Sequence, residues 1–215
     1  MYGRKKHMTD ILIFAAVAVA AYFIAGFNPA IFFSKTVYHA DIRTEGSGNP
    51  GFTNFKRVYG GALSWVVCFL DIVKGAAALL PGGFLFSYLY GAWQFGVAYA
   101  GMFAMLGHAY PAVYGFRGGK GFLVCLTTAW FLDWRAGTAA TLMLMLVLFT
   151  LKYMSLSSIL AVTAGLAVLC FTGAPLPVCL MYAACVVFMT VRHKANIRRL
   201  FLGTESKFAL VHKKA

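Results

Sequence analysis

Apolar residues in this chain come in runs too long for the core of a soluble domain. The first, "ILIFAAVAVAAYFIAGFNPAIFF" at 11–33, meets the roughly 20 consecutive apolar residues that a membrane-spanning helix needs. Others fall at 58–80, 84–107, 121–132, 137–154, 158–172 and 175–191. A backbone in lipid must satisfy its own hydrogen bonds, so each run predicts a helix. The expectation is an all-α integral membrane protein of seven transmembrane helices, a single membrane-embedded domain over 1–215. Pro81-Gly82-Gly83 and the stretch Gly173 to Pro177 predict tight turns between spans, because Pro and Gly interrupt helices. The first run follows Arg4, Lys5 and Lys6 as a signal peptide would. It exceeds a ~7–15 residue signal core and lacks a small-x-small cleavage site, so a retained helix is expected.

Composition agrees: 61% of residues are hydrophobic and the mean hydropathy is +0.76, outside the range of ordinary soluble domains. A net charge of +13 would suit nucleic acid, but the cations lie in short loops and in the tail. Seven crossings put 34–57, 108–120, the surroundings of Lys152 and 192–215 on one side, with 14 of the 19 Lys and Arg. The positive-inside rule makes that side cytosolic, with the N-terminus outside and the C-terminus inside. Membrane lipids and anions are therefore the expected partners, and nucleic acid is not. All five cysteines lie in apolar segments without a C-x-x-C pair, as packing residues do.

Three polar stretches interrupt the apolar pattern on the cytosolic side: "DIRTEGSGNPGFTNFKR" (41–57), "GHAYPAVYGFRGGKG" (107–121) and "VRHKANIRRLFLGTE" (191–205). Glycine beside Lys or Arg is the local chemistry of a phosphate site, since backbone N–H groups can approach the anion while the cations supply charge. Gly46-Ser47-Gly48-Asn49-Pro50-Gly51 matches G-x-G-x-x-G, but without a preceding strand or βαβ unit a dinucleotide site is not expected. Gly118-Gly119-Lys120-Gly121 fails the P-loop pattern at both ends, with Tyr114 and Gly121 in the Gly and Ser/Thr places. Flexible connectors are the bland reading of these glycines. They leave the clustering of Ser47, Asn49, Thr53, Asn54 and Arg57 unexplained.

His193 and Asn196, three apart, share one face of a helical extension. Arg198 serves equally well as an anchor to anionic lipid, and His108, before Pro111, as a packing or capping residue. Asp71 and Lys74 at i, i+3 predict first a structural ion pair and second a contribution to the site. Few acids lie near the loops, and there is neither H-E-x-x-H nor a Cys/His cluster, so neither a metal nor another cofactor is expected.

Taken together and in order, these stretches resemble the bacterial acyl-phosphate:glycerol-3-phosphate acyltransferases. That family carries G-S-G-N-x-G-A-T-N-x-x-R, G-H-x-x-P-x-x-x-x-F-K-G-G-K-G and H-x-x-N-I-x-R-L-x-x-G-x-E; here they appear as "GSGNPGFTNFKR", "GHAYPAVYGFRGGKG" and "HKANIRRLFLGTE". "DIVKG" at 71–75 is also similar to a family feature, and the resemblance spans about 41–205. It implies seven transmembrane helices in the bacterial inner membrane, with the site on the cytosolic side. It also implies transfer of a long-chain acyl group from acyl phosphate to the 1-hydroxyl of glycerol 3-phosphate, giving lysophosphatidic acid and phosphate. By motif position it assigns Ser47, Lys120, His193 and Asn196 to catalysis, and Arg57, Gly48, Asn49, Thr53, Asn54, Gly118 and Gly119 to substrate binding. Three departures stand out. Phe52 replaces a small residue, Arg117 replaces Lys, and Phe122-Leu123-Val124 replaces a Val-Ala-Thr-like run.

An acyl phosphate is already activated, so such an enzyme chiefly holds two anions together, and proximity alone supplies ~7–11 kcal/mol of the barrier. Lys120 and Arg57 are the expected phosphate cations. Oxyanion donors are expected from the amides of 118–121 or from Asn196. His193 is either the general base or an orienting group, with the acyl-phosphate oxygen as the alternative proton acceptor. A transporter or binding protein for organic phosphates is the competing class. It would show paired halves with interrupted helices, which the sequence lacks.

Overall fold

The computed structural model describes residues 2–209, with side chains from His7 onward. The charged groups of Arg4, Lys5, Lys6, Lys213 and Lys214, which enter the charge argument, lie outside the described part. Among the described residues all regular structure is helical. The helices are α1 (Tyr2–Gly26), α2 (Pro29–Val37), α3 (Phe52–Val58), α4 (Leu63–Tyr90), α5 (Trp93–Ala109), α6 (Phe122–Leu132), α7 (Trp134–Leu151), α8 (Met154–Phe171), α9 (Leu176–Arg192) and α10 (Lys194–Phe201). A short 3-10 turn at Ala112–Tyr114 lies between α5 and α6. By length and composition, four stretches can each cross a membrane, and a fifth can if α9 and α10, bent by 58°, are counted together.

The first apolar run does not form one continuous helix. It breaks at Phe27-Asn28, where Asn28 caps α2 by accepting the Ile31 amide at 2.9 Å. The break frees the Phe27 carbonyl, which takes a hydrogen bond from Lys74 Nζ at 2.6 Å. Lys74 also lies 2.7 Å from Asp71 on α4, so the ion pair expected from the sequence exists and docks one helix onto the gap in another. Two buried charges are tolerable at this depth because they neutralise each other and the ammonium meets a carbonyl as well.

The turn expected at Pro81-Gly82-Gly83 is absent, for α4 runs through it to Tyr90 and the chain reverses at Gly91-Ala92. Helices next to other helices in lipid accept Pro, and Gly there serves packing instead of turning. A Cβ on Gly82 would lie 2.9 Å from both Ala100 Cβ and the Gly96 carbonyl, and one on Gly96 would collide with the Gly82 carbonyl. The two glycines thus bring the backbones of α4 and α5 into contact. The turn expected over 173–177 is present, with Gly173 at φ +79° between α8 and α9.

The main core is built from α1 and α4 to α9 around Leu79, Phe86, Val97, Met105 and Tyr182. A second, smaller cluster of Ile31, Ile42, Phe55 and Val67 seats α2, α3 and the loop between them on α4. That cluster fixes the first polar stretch relative to the bundle.

Gly96→Ala should lower the thermal midpoint in detergent, because a methyl forced against a backbone carbonyl is overpacking of the kind that costs ~1–3 kcal/mol. Gly165→Ala, whose added Cβ meets nothing closer than 3.2 Å, should shift it much less; equal shifts would argue against the close α4–α5 contact.

Candidate active site

The first polar stretch is organised by Asn54. Its Oδ1 accepts the Ser47 amide at 2.8 Å, and its Nδ2 donates to the carbonyls of Glu45 at 2.9 Å and Ile42 at 3.4 Å. Gly46 sits at φ +57°, and a Cβ there would strike Asn54 Oδ1. Asn54 is therefore the strut of the loop, and Ser47 is held at its tip. Arg43 grips Asp41 and donates to the Tyr114 carbonyl at 2.6 Å, joining the first stretch to the second. The Arg43 guanidinium holds the Asp41 carboxyl down at about 2.

In the second stretch, the Gly118 and Gly119 amides donate to the carbonyls of Ala109 at 3.0 Å and His108 at 3.1 Å. These two N–H groups are spent on the fold, so the oxyanion role expected of 118–121 does not extend to them. A Cβ on Gly119 would collide with the His108 ring, which is buried beneath the loop. From the far side, Arg192 donates to the carbonyls of Gly118 at 3.2 Å and Gly119 at 3.0 Å. The loop is held from both sides, and Lys120 projects from it.

The third stretch turns at His193, where α9 gives way to α10. His193 Nδ1 donates to the Met189 carbonyl at 2.8 Å, which leaves Nε2 as an acceptor. Lys120 Nζ donates to Asn196 Oδ1 at 2.5 Å, and Asn196 Nδ2 donates to Glu205 at 2.6 Å. Glu205 also accepts from Ser155 at 2.7 Å and from Arg199 at 2.7 Å. Burial pushes the Glu205 carboxyl up, but the hydrogen bonds from Asn196, Ser155 and Arg199 outweigh it and hold it down. Burial lowers the Lys120 ammonium to about 8, with Glu205 opposing and Arg199, Arg57 and Arg192 assisting. Burial and then the Lys120 charge lower His193 to about 4, so its ring is neutral at pH 7.

A cavity of about 330 Å³ unites the three stretches. Ser47, Asn49, Thr53, Asn54 and Arg57 line it from the first, Lys120 from the second, and His193 and Asn196 from the third. Gly48 and Gly118 do not line it; they face a separate recess with Arg43, Arg117 and Arg192. Gly119 packs on His108. The other end of the cavity is apolar, walled by Phe122 and Leu123 of α6 and by Leu144, Met145, Leu148 and Phe149 of α7. Met145 and Phe149 are exposed on the outer surface of the bundle, so this wall opens sideways.

Sequence reasoning did not single out Glu205, Ser155, Arg192 or Arg43. Glu205 carried a signal, being the last residue of the third motif and the only acid after Asp133 in a strongly basic region. Ser155 carried none, because one Ser in an apolar helix looks like any other. Asp71 and His108 also line the cavity, which joins the expected ion pair to the floor of the site.

A bundle of apolar helices carrying one cavity that is cationic at one end and apolar at the other defines an integral membrane protein with a site shaped for an amphiphile. The sequence profile of the family described as glycerol-3-phosphate acyltransferase matches residues 15–203, and the chain belongs to that family. Its relatives include the glycerol-3-phosphate acyltransferases of Listeria welshimeri, 36% identical over 89% of this chain and 94% of the relative, and of Colwellia psychrerythraea, 35% identical over 94% and 99%. The fold is shared with a crystal structure of PlsY (YgiH), an integral membrane glycerol 3-phosphate acyltransferase in its glycerol 3-phosphate form. The TM-score is 0.83, with 28% identity over 91% of this chain and 96% of that one. The lysophosphatidic acid form of PlsY matches with a TM-score of 0.78.

Asn54→Ala removes three hydrogen bonds from buried loop carbonyls and an amide. It should cost ~1–3 kcal/mol, read as a lower thermal midpoint together with new protease cleavage within 42–54. An intact, protease-resistant loop would show that Asn54 is not its strut.

Proposed function

We propose that the chain acylates the 1-hydroxyl of glycerol 3-phosphate, with a long-chain acyl phosphate as donor, forming lysophosphatidic acid and inorganic phosphate for phospholipid synthesis. The observation that carries this reading is the single cavity in which Lys120, Arg57, His193 and Ser47 meet an apolar wall open to the side. It fits an anionic head beside an acyl chain. The glycerol 3-phosphate and lysophosphatidic acid forms of the PlsY neighbour supply the two chemical ends of the same reaction.

The donor carbonyl is activated by its anhydride link to phosphate, so the residues position, neutralise and polarise. Arg57 has no carboxylate partner among the described residues, which leaves its guanidinium free to bind the glycerol phosphate dianion bidentately. Lys120, steered by Asn196, faces the acyl phosphate and stabilises the departing phosphate. The 1-hydroxyl oxygen attacks the carbonyl carbon, the carbon–oxygen bond to phosphate breaks, and phosphate leaves. His193 Nε2 accepts a hydrogen bond from the hydroxyl and orients it. A ring held at about 4 binds a proton weakly at neutral pH, whereas a phosphate oxygen has a pKa of ~6. The proton therefore passes to the leaving phosphate.

In the bilayer, α1 and α4 to α9 make seven crossings of one domain, with the three polar stretches and the C-terminus on the cytosolic face of the inner membrane. The basic loops of the described part support this side by the positive-inside rule. At 11 residues, α6 is about 16 Å long against a ~30 Å hydrocarbon core, which leaves room above it for the polar cavity.

The test uses protein purified in lipid nanodiscs with acyl phosphate and glycerol 3-phosphate. Phosphate release and lysophosphatidate formation should be stoichiometric, and Lys120→Ala should lower the rate by ~10²–10³. Glycerol phosphate flux into proteoliposomes without acylation would instead identify a transporter. Lys120 is charged below about 8 and neutral above it, so kcat/KM should fall as pH rises through about 8. Lys120→Arg should retain activity and carry that limb out of the measurable range, since guanidinium does not deprotonate there.

A further inference from the structure

Phe52, the first residue of α3, is part of a cage. Its ring centroid lies 5.1 Å from that of Trp65 on α4 and 6.1 Å from that of Phe208 in the C-terminal segment. Lys56, one turn further along α3, places its ammonium 4.2 Å from the Trp65 ring, 5.6 Å from Phe208 and 6.0 Å from Phe52. Lys56 is only 7% exposed and forms no ion pair among the described residues. Three aromatic faces are its partners, an arrangement that stabilises a desolvated cation.

The segment that Phe208 belongs to, 203–209, crosses the cavity. Its near end is tied by the Thr204 amide to the Arg199 carbonyl at 2.8 Å and by the Glu205 carboxylate to Asn196, Ser155 and Arg199. Its far end is tied by the Phe208 amide to the Lys152 carbonyl at 2.6 Å and by the Phe208 ring to the cage. Between these ties, Glu205, Ser206 and Phe208 line the same cavity as Arg57 and His193. The cage residue Lys56 and the phosphate cation Arg57 are neighbours on α3, so the strap is fastened beside the proposed reacting centre.

We propose that the Phe52, Trp65 and Phe208 cage around Lys56 latches this C-terminal strap over the cavity and so makes the glycerol phosphate hydroxyl, not water, the acceptor of the acyl group. The inference rests on the acyl-transfer reading above. Water has the same nucleophilic atom as the substrate hydroxyl. Its oxygen would attack the same carbonyl carbon and break the same bond to phosphate, giving fatty acid, inorganic phosphate and a proton taken by solvent. An activated anhydride bound next to bulk water needs a wall, and exclusion of water is what a fastened strap supplies. Phe52, Lys56, Trp65 and Phe208 are accordingly positioning residues that set acceptor specificity.

The experiment measures two quantities on the full chain in nanodiscs: the ratio of fatty acid to lysophosphatidate formed, and amide hydrogen exchange over 203–209 by mass spectrometry. Phe208→Ala and Lys56→Met should each speed exchange of the strap and raise the ratio by about threefold to tenfold, the weight of a partly desolvated cation–π contact. Phe208→Tyr, which keeps a ring, should retain the wild-type ratio. Exchange unchanged in both variants overturns the latch, and faster exchange with an unchanged ratio overturns its role in acceptor choice. A variant that misfolds shows fast exchange throughout the bundle, and the other then decides. If wild-type protein forms no lysophosphatidate, the acyl-transfer reading has failed, while the exchange measurement still decides whether the cage holds the strap.

Discussion

The Glu205 carboxylate holds the site together. It is one of six acids against 19 Lys and Arg, and it sits where three donors converge: Asn196, Ser155 and Arg199. Because Asn196 donates its Nδ2 to Glu205, its Oδ1 must face the other way, and there it receives Lys120. The chain Lys120–Asn196–Glu205 thereby links the second polar stretch to the third and pins the tail at the same point. A neutral relay between ammonium and carboxylate has a chemical advantage over direct pairing. Lys120 is steered without being neutralised, so its charge remains available to an anion.

The polar motifs were legible because their chemistry is local. Gly beside Lys or Arg, and His three residues before Asn on a helix, announce themselves in a chain this apolar, and eight of the eleven expected site residues line one cavity. Gly48, Gly118 and Gly119 stand outside that cavity, and a glycine that brings an amide to a ligand and one that lets loops pack look identical in sequence. Their surroundings decide, and here the Gly118 and Gly119 amides are already bonded to carbonyls. Arg43 and Arg192 were invisible for a related reason. Basic residues at the membrane surface follow topology, so the two that brace loops cannot be separated from those that only report orientation.

The same ambiguity explains the fold. Pro81-Gly82-Gly83 has the composition of a turn, and in water it would be one. Within lipid, a turn exposes backbone groups to a medium that cannot bond them, so the helix continues and the small residues become the contact with α5. The reverse happened at Phe27-Asn28, inside a run that looked continuous. There the broken backbone has replacements on hand, the Asn28 cap and the Lys74 ammonium. Pro29, Gly91 and Gly173 stand at breaks and Pro81-Gly82-Gly83 does not, so Pro and Gly mark where a helix can break and the supply of polar partners, a tertiary property, helps decide where it does.

His193 shows how the assembled charges choose a mechanism. An isolated histidine titrates near ~6.5 and would serve as a general base at neutral pH. Buried first and beside the Lys120 charge second, with Nδ1 committed to the Met189 carbonyl, it is held at about 4. Burial first and the Lys120 charge second thus weaken the base, and under the proposed reaction an anion-binding cation and a strong base compete within one small cavity. Removing the Lys120 charge would raise the His193 ring only in part, since burial is the larger cause of its lowering, and would remove a cation from the cavity. The arrangement is coherent if the base is supplied by the substrate. In the proposed reaction a leaving phosphate would bring its own proton acceptor to the reacting atoms, which would leave His193 to orient the hydroxyl and Lys120 to act as a cation.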